Sequence, residues 1–116
     1  MSIQRIGPGK RMSEISAFNG VLYLAGQVPR ETRGRGIREQ TAEVLGMIDG
    51  LLEGVGSNRS RLLSCQIFLR DMALFASMNE VWDAWVAAGQ APARATVQAA
   101  LASPGCDIEI AAVAAA

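Results

Sequence analysis

Two stretches of helical apolar spacing, separated by one stretch of strict alternation, limit what this 116-residue chain can fold into. Thr41, Val44, Leu45, Ile48, Leu51, Leu52 and Val55 form one broad stripe that runs out at Gly54 and Gly56, the pattern of an amphipathic helix. Phe75, Met78, Trp82, Trp85 and Val86 form a second stripe. Ser77 and Glu80 there are spaced like a capping box, and Gly89 is the expected stop. Both tryptophans read as core packing against a sheet. Between the helices, "RLLSCQIFLRD" (61–71) sets Leu63, Cys65, Ile67 and Leu69 on one face, which predicts a strand.

The flanking segments are also extended. After a polar start broken by Gly and Pro, "EISAFNG" leads through Asn19-Gly20 into "VLYLAG" (21–26), and Asn-Gly is the strongest short hairpin signal. Near the other end, Pro92 opens the strand "ARATVQAAL", "ASPG" turns, and "CDIEIAAVAAA" closes the chain. The predicted order is ββαβαββ, a single α+β domain over residues 1–116. Two helices cover only one face of such a sheet, yet several strands are apolar on both faces. The economical cover for the second face is another copy of the chain in a closed symmetric oligomer.

Composition removes several chemistries. There is no histidine, so Ser-His-Asp and Cys-His arrangements are impossible and the common zinc sites lack their imidazoles. Cys65 and Cys106 stand far apart in no CxxC spacing, which suggests neither a metal knuckle nor a disulfide scaffold and fits the cytoplasm. No apolar run resembles a secretory signal or approaches the ~20 residues of a membrane span. Eleven basic residues balance eleven acidic ones, which argues against nucleic acid or anionic membrane as the main partner. The segment "RETRGRG" (30–36) reads as a mobile, solvated loop.

One charge is out of place in this pattern. Within "APARATVQ" (91–98), alternation sets Ala93, Ala95 and Val97 on one side and Arg94, Thr96 and Gln98 on the other. An Arg in an interior strand needs an anion to meet it. In the last strand Asp107, Glu109, Ala111 and Val113 share the face opposite Ile108, Ile110, Ala112 and Ala114. If the two strands pair, Arg94 and Glu109 look into the same space. They then form either a cross-strand ion pair or the two ends of a ligand site. The small neighbours Ala25, Gly26, Ala93 and Ala111 leave room that an ion pair does not require.

The stretches "VLYLAGQVP", "FASMNEVWDAWV", "APARATVQ" and "DIEIAAVA", in this order and spacing, resemble the Rid family, the YjgF-type reactive imine and enamine deaminases, from about Lys10 to the end. The resemblance implies a chorismate-mutase-like fold with two helices on one face of a mixed sheet. It also implies a homotrimer whose sheets form an inner barrel, with three clefts between subunits. By motif, Arg94 of "PAR" is implied to grip the carboxylate of a 2-imino acid, a match to the paired donors of a guanidinium. Glu109 of "IEI" is implied to hold the attacking water. Gly26 and the main chain of Thr96 are implied to offer backbone polar groups, and Asn79 to be structural. Met12, Ala25, Thr96 and Ala111 stand where family members often carry tyrosine, serine, cysteine and a second glutamate. The implied reaction is hydrolysis to a 2-keto acid and ammonia without metal or organic cofactor. The alternative is a non-catalytic trimer that binds a small carboxylate metabolite in the same cleft.

Overall fold

A computed structural model describes residues 2–116. The elements run β1 (Gln4–Pro8), β2 (Ser13–Phe18), β3 (Val21–Gln27), α1 (Ile37–Glu53), β4 (Leu62–Leu69), α2 (Phe75–Trp85), β5 (Ala93–Gln98) and β6 (Ile108–Ala115). The expected ββαβαββ order is present, with one further strand ahead of it. The polar start is not irregular throughout: Gln4–Pro8 pairs antiparallel with β2. This strand is short, and it carries Pro8 as edge strands tolerate.

The sheet is mixed, in the order β1-β2-β3-β6-β4-β5; among the described residues β4 and β5 are the one parallel pair. Asn19 and Gly20 take φ of 55° and 79° between Phe18 and Val21, the left-handed pair that a tight hairpin turn requires. Both helices lie on one face. Val44, Leu45, Ile48 and Leu52 of α1 and Met78 and Trp82 of α2 bury themselves over Leu22, Leu24, Cys65, Ile67 and the even-numbered residues Ile108–Ala114 of β6. Gln40 joins α1 to the last strand, its Oε1 accepting from Asp107 N at 2.8 Å and its Nε2 donating to Arg35 O at 2.8 Å. That satisfies a fully buried amide.

Helix α2 departs from expectation at both ends. Ser77 and Glu80 make no capping box; a 3-10 turn (Met72–Leu74) precedes the helix, and Asp71 Oδ1 accepts from Ala73 N at 2.9 Å. Glu80 instead meets Arg38 of α1 at 2.8 Å. The helix ends at Trp85 rather than near Gly89, because Val86 already has extended backbone. Among the described residues, no helix is long and apolar enough to cross a membrane.

Candidate active site

Arg94 and Glu109 do not sit on paired strands. β4 lies between β5 and β6: Arg94 aligns with Cys65 and Cys65 with Ala112, whereas Glu109 aligns with Phe68. At sheet spacings the two Cα atoms are therefore about 14 Å apart. They also face opposite ways. Arg94 shares the helix face with buried Cys65, and Glu109 alternates with the buried Ile108 and Ile110. The expected shared space does not exist within one chain, since the short turn between two strands does not make them neighbours.

Each residue nonetheless has a built environment. The Arg94 guanidinium stands over the rings of Trp82 and Phe75, its Cζ 5.1 and 5.8 Å from their centroids. That places α2 beneath it as a cation–π platform. Trp82 is thus core packing, as its spacing predicted, and also a seat for the cation. Among the described residues the ion pairs are Arg35–Glu39, Arg38–Glu80, Arg59–Asp49 and Arg70–Asp107, so neither Arg94 nor Glu109 is neutralised by the protein. Beside Arg94, the Cys65 thiol is pushed up to about 11 by burial, which outweighs the opposing pull of the guanidinium. Thr96, two residues on, has a buried hydroxyl without a hydrogen-bond partner, as Asn79 has a buried side-chain oxygen without one.

β5 is an outer strand of the sheet. Ala99 N donates to Leu69 O at 2.9 Å, so by alternation the main-chain groups of Arg94, Thr96 and Gln98 point away from β4. This edge position leaves the main-chain groups of Thr96 outside the ladder of the sheet.

Glu109 belongs to a second cluster. The register of β3 against β6 shifts between Leu24 and Gln27, so Ala25 and Gly26 together oppose Ala111. This is a β-bulge, which leaves backbone groups out of the ladder. The Glu109 side chain bends over it: a Cβ on Gly26 would collide with Glu109 Oε2 and lie 2.9 Å from its Cδ. Gly26 is therefore required for close approach. Gln27 braces the bulge by donating from Nε2 to Ala25 O at 3.0 Å. Met12, Ala25, Gly26 and Arg30 line a cavity of about 190 Å³ at this corner. A larger cavity of about 510 Å³ spreads over the open face, with Tyr23, Ser64, Gln66, Ala93, Ala95 and Ala111 on its walls.

The loop 30–36 beside this corner is largely exposed, yet it is tied to α1 and to the segment before β6 by hydrogen bonds. The Glu43 carboxylate of α1 accepts from the main-chain N–H groups of Arg30, Glu31 and Thr32 and, at 2.6 Å, from the Thr32 hydroxyl. Gly34 N donates to Gly105 O at 2.9 Å. Nothing in the sequence marked Glu43, which sits at the edge of a helical stripe. Among the described residues, no group of three His, Cys, Asp or Glu side chains could hold a metal ion.

The chain and its fold match a known class. The family model described as endoribonuclease L-PSP matches residues 2–116. A RutC family protein of Haemophilus influenzae is 52% identical over 110 residues, 95% of each chain. The RutC family protein YoaB of Escherichia coli is 49% identical over 115 residues, 99% of each. Among solved structures, a YjgF family member from Neisseria meningitidis has a TM-score of 0.95 at 46% identity, covering 99% of this chain and 95% of that one. A Rid family protein from Yersinia pestis has a TM-score of 0.85 at 26% identity, covering 94% and 90%. The chain belongs to the YjgF/Rid/RutC family.

Proposed function

We propose that the protein is a cytoplasmic deaminase that hydrolyses reactive 2-imino acids and their enamine tautomers to 2-keto acids and ammonia. The observation that carries this reading is the Arg94 guanidinium, half-buried on an aromatic platform with no carboxylate among the described residues to meet it. A small acid is the partner that such a cation lacks. Because Arg94 and Glu109 lie on different faces of one chain, a complete site takes Arg94 from one copy and Glu109 from the next. A homotrimer with its sheets turned inward supplies three such clefts.

The substrate carboxylate docks on Arg94, and the exposed main chain of Thr96 helps to orient it. Water held between Glu109 and the bulge at Gly26 attacks the C=N carbon. Glu109 takes a proton from that water and returns it to the nitrogen. The carbinolamine then collapses: its hydroxyl gives its proton to Glu109 as the C–N bond breaks, and keto acid and ammonia leave. A protonated imine is already electrophilic, so orientation supplies much of the acceleration. Ala25, Ala111 and Met12 shape the remaining wall.

Keto-acid release from enzymatically generated 2-iminopropionate tests this. Wild type accelerates release, and Arg94→Ala and Glu109→Gln each lose about a hundredfold or more. Equal rates for wild type and Arg94→Ala would overturn the assignment. The apolar Ala25 and Ala111 favour a second reading, a trimer that only holds a small carboxylate. It predicts thermal stabilisation by pyruvate without turnover. The matching family model carries an endoribonuclease description, but a chain with no histidine and a net charge of zero offers RNA cleavage neither an imidazole acid–base pair nor overall attraction for a polyanion.

A further inference from the structure

A third cavity lies on the open face, toward the β1–β2 end, and the imine chemistry above uses only its Met12 and Ala25 rim. It measures about 480 Å³, and Arg5, Lys10, Arg11, Ser13, Ser16 and Tyr23 are among its walls. The register shows why these groups converge. Arg5 aligns with Ser16, Ser16 with Tyr23 and Tyr23 with Val113, one row across four strands on the face away from the helices. Arg5 Nη1 donates to Ser16 Oγ at 3.1 Å, which fixes the guanidinium along that row. Lys10 and Arg11 enter from the turn between β1 and β2.

None of the three cations belongs to an ion pair among the described residues, and no Asp or Glu lines the cavity. Three like charges around one hollow repel each other unless an anion enters. The hollow also borders the reaction corner. It shares Met12 and Ala25 with the cavity at Gly26, over which Glu109 bends, and Tyr23 and Leu24 with the large cavity of the open face.

We propose that this cavity is a subsite for a second, distal carboxylate, so that the preferred substrates are dicarboxylic 2-imino acids. The inference rests on the deaminase reading and names its substrate class. The first carboxylate goes to Arg94, the imine carbon lies beside Glu109, and the far carboxylate reaches past Met12 and Ala25 to Arg5, Lys10 and Arg11. Paired guanidinium donors with a serine hydroxyl suit a carboxylate.

The test compares keto-acid release from 2-iminosuccinate and from 2-iminopropionate, each generated in place by an amino-acid oxidase from aspartate or alanine. Wild type should favour iminosuccinate in kcat/KM by about tenfold or more, the worth of one charge-assisted contact. The combined variant Arg5→Gln, Lys10→Gln, Arg11→Gln should abolish that preference through KM and leave iminopropionate turnover within about twofold. Arg11→Gln alone should give part of the loss if the combined variant folds poorly. Equal wild-type rates on both substrates, or a parallel fall on both in the variants, would overturn the subsite and leave the deaminase reading standing. No acceleration of either substrate by wild type would remove the deaminase reading and the subsite together.

Discussion

Gly26 shows how much one missing methyl group can decide. Its backbone does not need a left-handed φ; it needs empty space above Cα, because the Glu109 carboxylate occupies the position of a Cβ. Gly26→Ala should therefore fold, with a stability change of about 1 kcal/mol or less by thermal denaturation. Keto-acid release should fall about a hundredfold, since a displacement of about 1 Å is enough to misplace a catalytic group. Retained activity would mean that Glu109 works from another rotamer. Arg94 was legible in the sequence as a strand cation that needs an anion, with Glu109 or a ligand to meet it. Its neighbours were not, because alternation along a strand gives the face of each residue relative to its own strand only. The α2 platform and the Cys65 thiol beside it come from other parts of the chain.

Elements with strong local signals were readable, and those held by distant contacts were not. The Asn19-Gly20 hairpin and the buried stripe of α1 follow from turn chemistry and period alone. β1 has little apolar alternation; Ile6 is its one residue that is not exposed, and pairing with β2 creates it. The loop 30–36 is ordered in the same way, through a carboxylate on the following helix. Those hydrogen bonds hold the Glu43 carboxyl down to about 2 against the opposing cost of its desolvation. A folded-state value below the unfolded one means that the contribution to stability is complete above about 4.5 and is lost as pH falls toward 2. Across neutral pH the loop should stay closed on α1. Glu43→Gln should release it at any pH, at a cost on the order of 1 kcal/mol. Faster amide exchange at Arg30, Glu31 and Thr32, with the exchange of α1 unchanged, is the measurement.

At the scale of the molecule, the sheet is covered on one side and open on the other. Tyr23 is 51% and Val97 46% exposed on the open face, amid Ala93, Ala95, Ala111 and Val113. An apolar surface of this kind marks an interaction site. In the proposed assembly these residues meet their equivalents from two other copies, so a charge placed there should be costly. Val113→Glu should shift native mass from trimer to monomer and remove turnover, while the core behind the sheet stays folded. A trimer that persists in that variant would show that the open face is not the contact.

The sequence by itself determined the helices, five of the six strands, the central hairpin and the identity of the out-of-place cation, because each rests on side-chain period or turn residues within a few positions. The tertiary structure alone decided that β4 separates the strands of Arg94 and Glu109, that the two face opposite ways, and that a bulge opens Gly26 to a carboxylate. Strand order and register depend on contacts between residues distant in the chain, and a local pattern carries no record of which strand lies beside which.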